Sequence, residues 1–269
     1  MAKPFDLRKV LKDLSNELLR QFFVGTHELV GVEWDALAET AIEPLVDGIQ
    51  RLSEDQRRDV QVVLQDILQL ADETGRGLRV LAEELQWRSP DRLVEYSAVE
   101  GRLDKPLWVY LNVRPAFDEA ALFAHTDALI GGRSWVKRNG LPKQPIVFSD
   151  TMKGVLQDAL RSYYWPNEVR GEFCEVHYHQ RSNGAEYFFA YLDDYPDRPL
   201  VFDDGQMHPV PQRYAFHNVF VYSPNDGSLD LIAKGGQDLH YPLQKAFCQA
   251  VLGIDVEPAD PIRPVYGSR

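Results

Sequence analysis

The most constraining stretch of this 269-residue chain is Ser182-Asn183-Gly184-Ala185, set between two runs of strand-forming residues. Asn-Gly tolerates the positive φ that tight hairpins need, so residues 173–181 and 186–192 are expected to pair as antiparallel strands. With Asn183-Gly184 as a two-residue loop, Arg181 faces Glu186, His179 faces Phe188 and His177 faces Ala190. Side chains alternate along a strand. One face would then carry Phe173, Glu175, His177 and His179, and the other Cys174, Val176, Tyr178, Tyr187, Phe189 and Tyr191.

A second hairpin is expected from residues 216–222 and 229–233, which flank the turn composition Pro224-Asn225-Asp226-Gly227. Between the hairpins, residues 200–202 make a short strand, while Pro209 and Pro211 suit an edge or a loop. After Gly235-Gly236, Leu239, Leu243, Phe247, Val251 and Leu252 recur at helical spacing until Gly253 stops them. The reading is a sheet of four or five strands closed by a C-terminal helix.

The first part of the chain has a different period. Asp6 is placed to cap a helix bearing Leu7, Val10, Leu11 and Leu14. A second helix carries Leu18, Leu19, Phe22 and Phe23. Thr40-x-x-Glu43 and Ser53-x-x-Gln56 both have capping-box spacing, and the second leads into Val60, Val63, Leu64, Ile67, Leu68 and Ala71. Another helix with Leu78, Leu81 and Leu85 ends near Arg88-Ser89-Pro90, which reads as a linker. Beyond it, residues 107–113 read as an apolar strand, 118–129 as a helix, 134–138 as a strand and 150–165 as a helix capped by Ser149. The fold class is therefore α+β. A small helical domain covers residues 1–88, a mixed, largely antiparallel sheet body with a C-terminal helix covers 89–256, and an extended Pro-rich tail covers 257–269.

Net charge excludes some functions. The chain carries 29 Lys+Arg against 41 Asp+Glu, net -12, which argues against broad phosphate-backbone binding. A local exception is Arg133, Trp135, Lys137, Arg138 and Lys143, a basic segment with an aromatic that is a candidate anion or nucleic-acid site. Two cysteines, Cys174 and Cys248, make no disulfide framework and suit a cytoplasmic chain. No apolar leader opens the sequence and no run is long enough to span a bilayer, so no membrane partner is expected.

Chemistry-bearing motifs are sparse. Glu175, His177 and His179 would share one strand face, roughly 6.5 to 7 Å apart along it, and are the candidate metal ligands. Asp193, Asp194, Asp197, Asp203 and Asp204 supply hard oxygen ligands but lie among prolines and a glycine, as turn residues do. There is no Gly-x-Ser-x-Gly elbow, no Walker-type loop and no dinucleotide fingerprint, so no cofactor is expected. The clustered aromatics supply a core, with any surplus suited to an interaction surface. The expected function is a non-enzymatic interaction or adaptor subunit that binds another protein subunit. The alternatives are a metal-dependent hydrolase or nuclease using the Glu175, His177 and His179 face, and a nucleic-acid-associated protein using the basic segment 133–143.

Overall fold

The computed structural model describes residues 5–258 apart from Asp204. Its class is α+β, and the chain divides between Asp127 and Ala128 into two compact units.

The first unit is helical: α1 (Leu7–Lys12), α2 (Asn16–Gly25), α3 (Glu43–Arg51), α4 (Glu54–Leu70), α5 (Arg76–Arg88), α6 (Leu93–Ala98), α7 (Asp104–Asn112) and most of α8 (Arg114–Leu129). Local chemistry sets the starts. Asp6 Oδ1 accepts from the Lys9 amide at 3.2 Å, and Ser53 and Gln56 form both halves of a capping box. Val60, Leu64, Ile67 and Leu70 then bury one stripe of α4. Phe22, Tyr110 and Phe117 form an edge-to-face chain linking α2, α7 and α8. At Thr40-x-x-Glu43 no box forms. Glu43 instead opens α3 and pairs with Arg8.

Two expectations change here. Residues 107–113 are not a strand. Residues 107–112 belong to α7, whose Leu107 and Val109 are fully buried, and Val113 is its C-cap. A short apolar run does not distinguish a strand from a buried helix, and Pro106 sits in the helix's first turn, where its missing N–H costs nothing. The Arg88-Ser89-Pro90 break is a turn between α5 and α6, and α6 and α7 both pack against α5 within this unit.

The second unit is built on a five-stranded sheet of order β1-β7-β6-β3-β2, with β1 (Trp135–Arg138), β2 (Cys174–Gln180), β3 (Glu186–Asp197), β6 (Gln212–Ser223) and β7 (Ser228–Ile232). Every ladder among the described residues is antiparallel, not mixed, and residues 107–112, expected as a strand, add none because they are helical. Two more strands, β4 (Leu200–Asp203) and β5 (Gln206–Pro209), pair separately. On one sheet face lie α9 (Asp150–Glu168), capped by Ser149, and α10 (Gln237–Phe247), which continues as a π-helical turn to Leu252. Leu156, Leu160 and Tyr164 of α9 and Leu243 and Phe247 of α10 pack with Val176, Phe188, Ala190, Phe220 and Leu231 of the sheet. Tail residues from Ala259 onward lie outside the described residues.

The first hairpin has a three-residue loop. Gln180 pairs with Glu186, the Arg181 amide donates to the Ala185 carbonyl at 2.9 Å, and Gly184 takes φ +82°. That shifts the register by one residue. Tyr187, Phe189 and Tyr191 consequently share a face with Glu175, His177 and His179, while Val176 and Tyr178 face Ala190 and Phe188.

Candidate interaction surface

The candidate metal ligands do share a face, but their side chains are engaged separately. Lys153 Nζ holds Glu175 at 2.5 Å and keeps its carboxyl below the ordinary range. The His177 ring packs edge-on to Tyr191 and the His179 ring edge-on to Phe189. His177 Nε2 is 3.9 Å from Glu175, too far for a hydrogen bond. Among the described residues no group of three His, Cys, Asp or Glu side chains is arranged to hold a metal ion.

The basic segment is likewise divided. Trp135 Nε1 donates to Asp230 at 2.8 Å and Lys137 Nζ lies 3.4 Å from the same carboxylate. Arg138 points to the opposite face, where its Nε donates to Gln244 Oε1 and its Nη2 to the Glu257 carbonyl, each at 3.0 Å. Arg133 and Lys143 are exposed. Alternation along β1 therefore splits the segment into two sheet faces and two flanking loops.

Other polar clusters have structural work. Asp193 accepts from the Phe173 amide and from Arg213, and Asp194 accepts from Arg170. Arg170 also bridges to Glu168 while its guanidinium lies 4.2 Å from the Phe216 ring centre. Burial pushes the Cys174 thiol up to about 12 and the Cys248 thiol up to about 11, so neither is a thiolate at neutral pH. On the helical unit, Asp66 and Gln69 of α4 and Asp118, Leu122 and His125 of α8 line a cavity of about 280 Å³. Burial and the nearby Asp118 raise the Asp66 carboxyl above its ordinary range. Arg114 holds Asp118 at 2.7 Å.

What stands out instead is the far end of β3 and β6. Both are twelve residues long, and a bulge between Asp193 and Pro196 separates their sheet-bound halves from an outer stretch. The outer register runs from Pro196 opposite Arg213 and Asp197 opposite Gln212, through the Val210 amide donating to the Pro199 carbonyl at 3.0 Å, to Leu200 opposite Pro209 and Phe202 opposite Met207. It is one continuous two-stranded ribbon. Eight residues on each arm extend it by about 26 Å. Among the described residues β4 and β5 pair only with each other.

One face of this ribbon is apolar and open to solvent. Leu200, Phe202 and Met207 are 64 %, 68 % and 57 % exposed, and Pro209 beside them is exposed too. Arg198, also exposed, follows on the same face toward the stem. Single exposed apolar residues need no explanation, but several on one ribbon face form a patch. A two-stranded ribbon is also marginal in water unless something packs on it. The strand at 200–202 is legible in the sequence, but its exposure is not. Pro-rich flanks and strand-forming Leu-Val-Phe were the available signal.

No family model matches the chain, and no curated protein matches it.

Proposed function

We propose that the protein is a non-enzymatic interaction subunit of a cytosolic multi-protein system, and that it engages its partner through the ribbon made by β4 and β5. The observation that supports this is the joint exposure of Leu200, Phe202 and Met207 on one face of a paired element. Apolar side chains grouped this way gain roughly 25 cal/mol per Å² of apolar area removed from water. The occupant is a different protein rather than a second copy, because two chains of net charge -12 repel one another. It presents apolar side chains to the ribbon and a carboxylate to Arg198.

The test compares the wild-type chain with Phe202→Asp/Met207→Asp, both purified with a tag from the native host after nuclease treatment. A stoichiometric partner retained by the wild type and lost by the variant supports the reading, provided circular dichroism and melting are unchanged. Affinity measured with the purified partner should fall at least about a hundredfold for two buried apolar contacts. A partner that holds the variant equally, or no stoichiometric partner at all, overturns it.

A further inference from the structure

The two edges of the β4–β5 ribbon are chemically unequal, and the inequality bears on how a partner binds. In an antiparallel ladder, hydrogen-bonded pairs alternate with pairs whose N–H and C=O groups point outward. Since Val210 donates to Pro199, that pair and Val201/His208 point inward. Leu200/Pro209 and Phe202/Met207 therefore direct their backbone groups outward. On the β5 side, proline at 209 and at 211 removes two outward donors and leaves only that of Met207 within the strand, and such prolines are how natural sheets blunt an edge. The β4 side has no such block. Leu200 and Phe202 present two outward N–H and two outward C=O groups at an edge that no strand pairs among the described residues.

We infer that this edge receives an extended strand of the partner protein, so that docking proceeds by strand addition. The inference rests on the interaction reading above and names its mode. Main-chain bonds to Leu200 and Phe202 would supply part of the affinity, and alternate side chains the specificity. Residues opposite Phe202 and Leu200 share their face and should be apolar. The residue opposite Arg198, two further along, should be Asp or Glu. In antiparallel addition the recognised pattern is thus apolar-x-apolar-x-acidic, read from the partner's N-terminus.

The probe is a synthetic peptide, Thr-Ile-Thr-Ile-Thr-Glu-Thr, capped at both ends and titrated into the full-length ¹⁵N-labelled protein. Amide shifts concentrated at Arg198, Leu200, Val201 and Phe202 are expected. N-methylation of both Ile nitrogens removes the donors facing β4 and should weaken binding by about tenfold or more. Leu200→Pro should do the same relative to Leu200→Ala, because the imino ring removes the outward N–H. Arg198→Glu should shift preference to the peptide with Lys in place of Glu. Equal binding of the N-methylated peptide, or no shifts in β4, overturns strand addition. So does sedimentation as a dimer that Leu200→Pro dissociates, since the strand would then come from a second copy. If Phe202→Asp/Met207→Asp releases the native partner and Leu200→Pro does not, docking stands and strand addition fails. If neither variant changes partner binding, docking at the ribbon fails as well.

Discussion

Glu186 is a charged side chain inside the sheet unit. It is fully buried, and its carboxylate is held by the Tyr178 hydroxyl and, at 3.4 Å, by Gln180 Nε2. Tyr178 stacks on Phe148 at 4.4 Å, so Tyr178→Phe keeps the packing and removes only the donor. It should lower the unfolding free energy by about 2 kcal/mol, because a buried carboxylate loses a hydrogen bond. Denaturant unfolding checks this, and an unchanged midpoint would show that Glu186 does not depend on that hydroxyl. Asp66 gives a pH-dependent counterpart. Burial, then Asp118, raise its carboxyl in the folded chain above the unfolded value. The folded state thus binds the proton more tightly, and Asp66 costs stability as pH rises through the ordinary aspartate range and beyond. Asp66→Asn should therefore melt higher than wild type at pH 7, with the advantage vanishing below about pH 3.9. An advantage that persists in acid would exclude this origin.

At the scale of elements, hairpin loops decide what the strands present. Gly184 has φ +82° and a Cβ there would meet nothing closer than 3.9 Å, so Gly184→Ala bears a backbone cost alone, about 1 kcal/mol. Gly227 has φ +64° and a Cβ there would lie 2.3 Å from the Leu141 carbonyl oxygen. Gly227→Ala should cost clearly more than Gly184→Ala, and paired melting curves test the order. The strand β1 shows the same logic for charge. Arg138 is buried among Gln244 and the Glu257 carbonyl, so Arg138→Met should destabilise by about 2 kcal/mol as those acceptors lose their donor. Nucleic-acid affinity should not track that loss, as measured by salt-dependent titration of wild type and variant. The Asn-Gly hairpin was legible because turn chemistry is local. Its one-residue register was not, since two- and three-residue loops both accept Asn-Gly, and the choice moves Tyr187, Phe189 and Tyr191 to the opposite face.

At the scale of the whole molecule, the chain separates a helical unit from a sheet unit and leaves one apolar ribbon face outside the sheet. No described helix is long and apolar enough to cross a membrane. Because Phe202 and Met207 are mostly exposed, Phe202→Asp/Met207→Asp should leave the melting temperature within a degree or two. A marked loss of stability would mean that the ribbon face is packed within the chain. Calorimetry of wild type and variant separates the two outcomes.

The sequence by itself determined the elements whose cause is local: the helix starts at Asp6, Ser53 and Ser149, the stripe of Val60, Leu64 and Ile67, both sheet hairpins, and the α+β class that follows from helices leading into a meander. Capping bonds and turn conformations involve residues within four positions of one another, so they are written in adjacent letters. Tertiary structure alone decided that residues 107–112 are helical, because a short apolar run satisfies a strand and a buried helix equally until neighbours surround it. It alone decided that Trp135 and Lys137 meet Asp230, 95 and 93 residues away, and that Arg138 meets Gln244. It also decided the exposure of Leu200, Phe202 and Met207. Whether an apolar strand face is covered depends on which distant element reaches it, and nothing in those residues themselves records that.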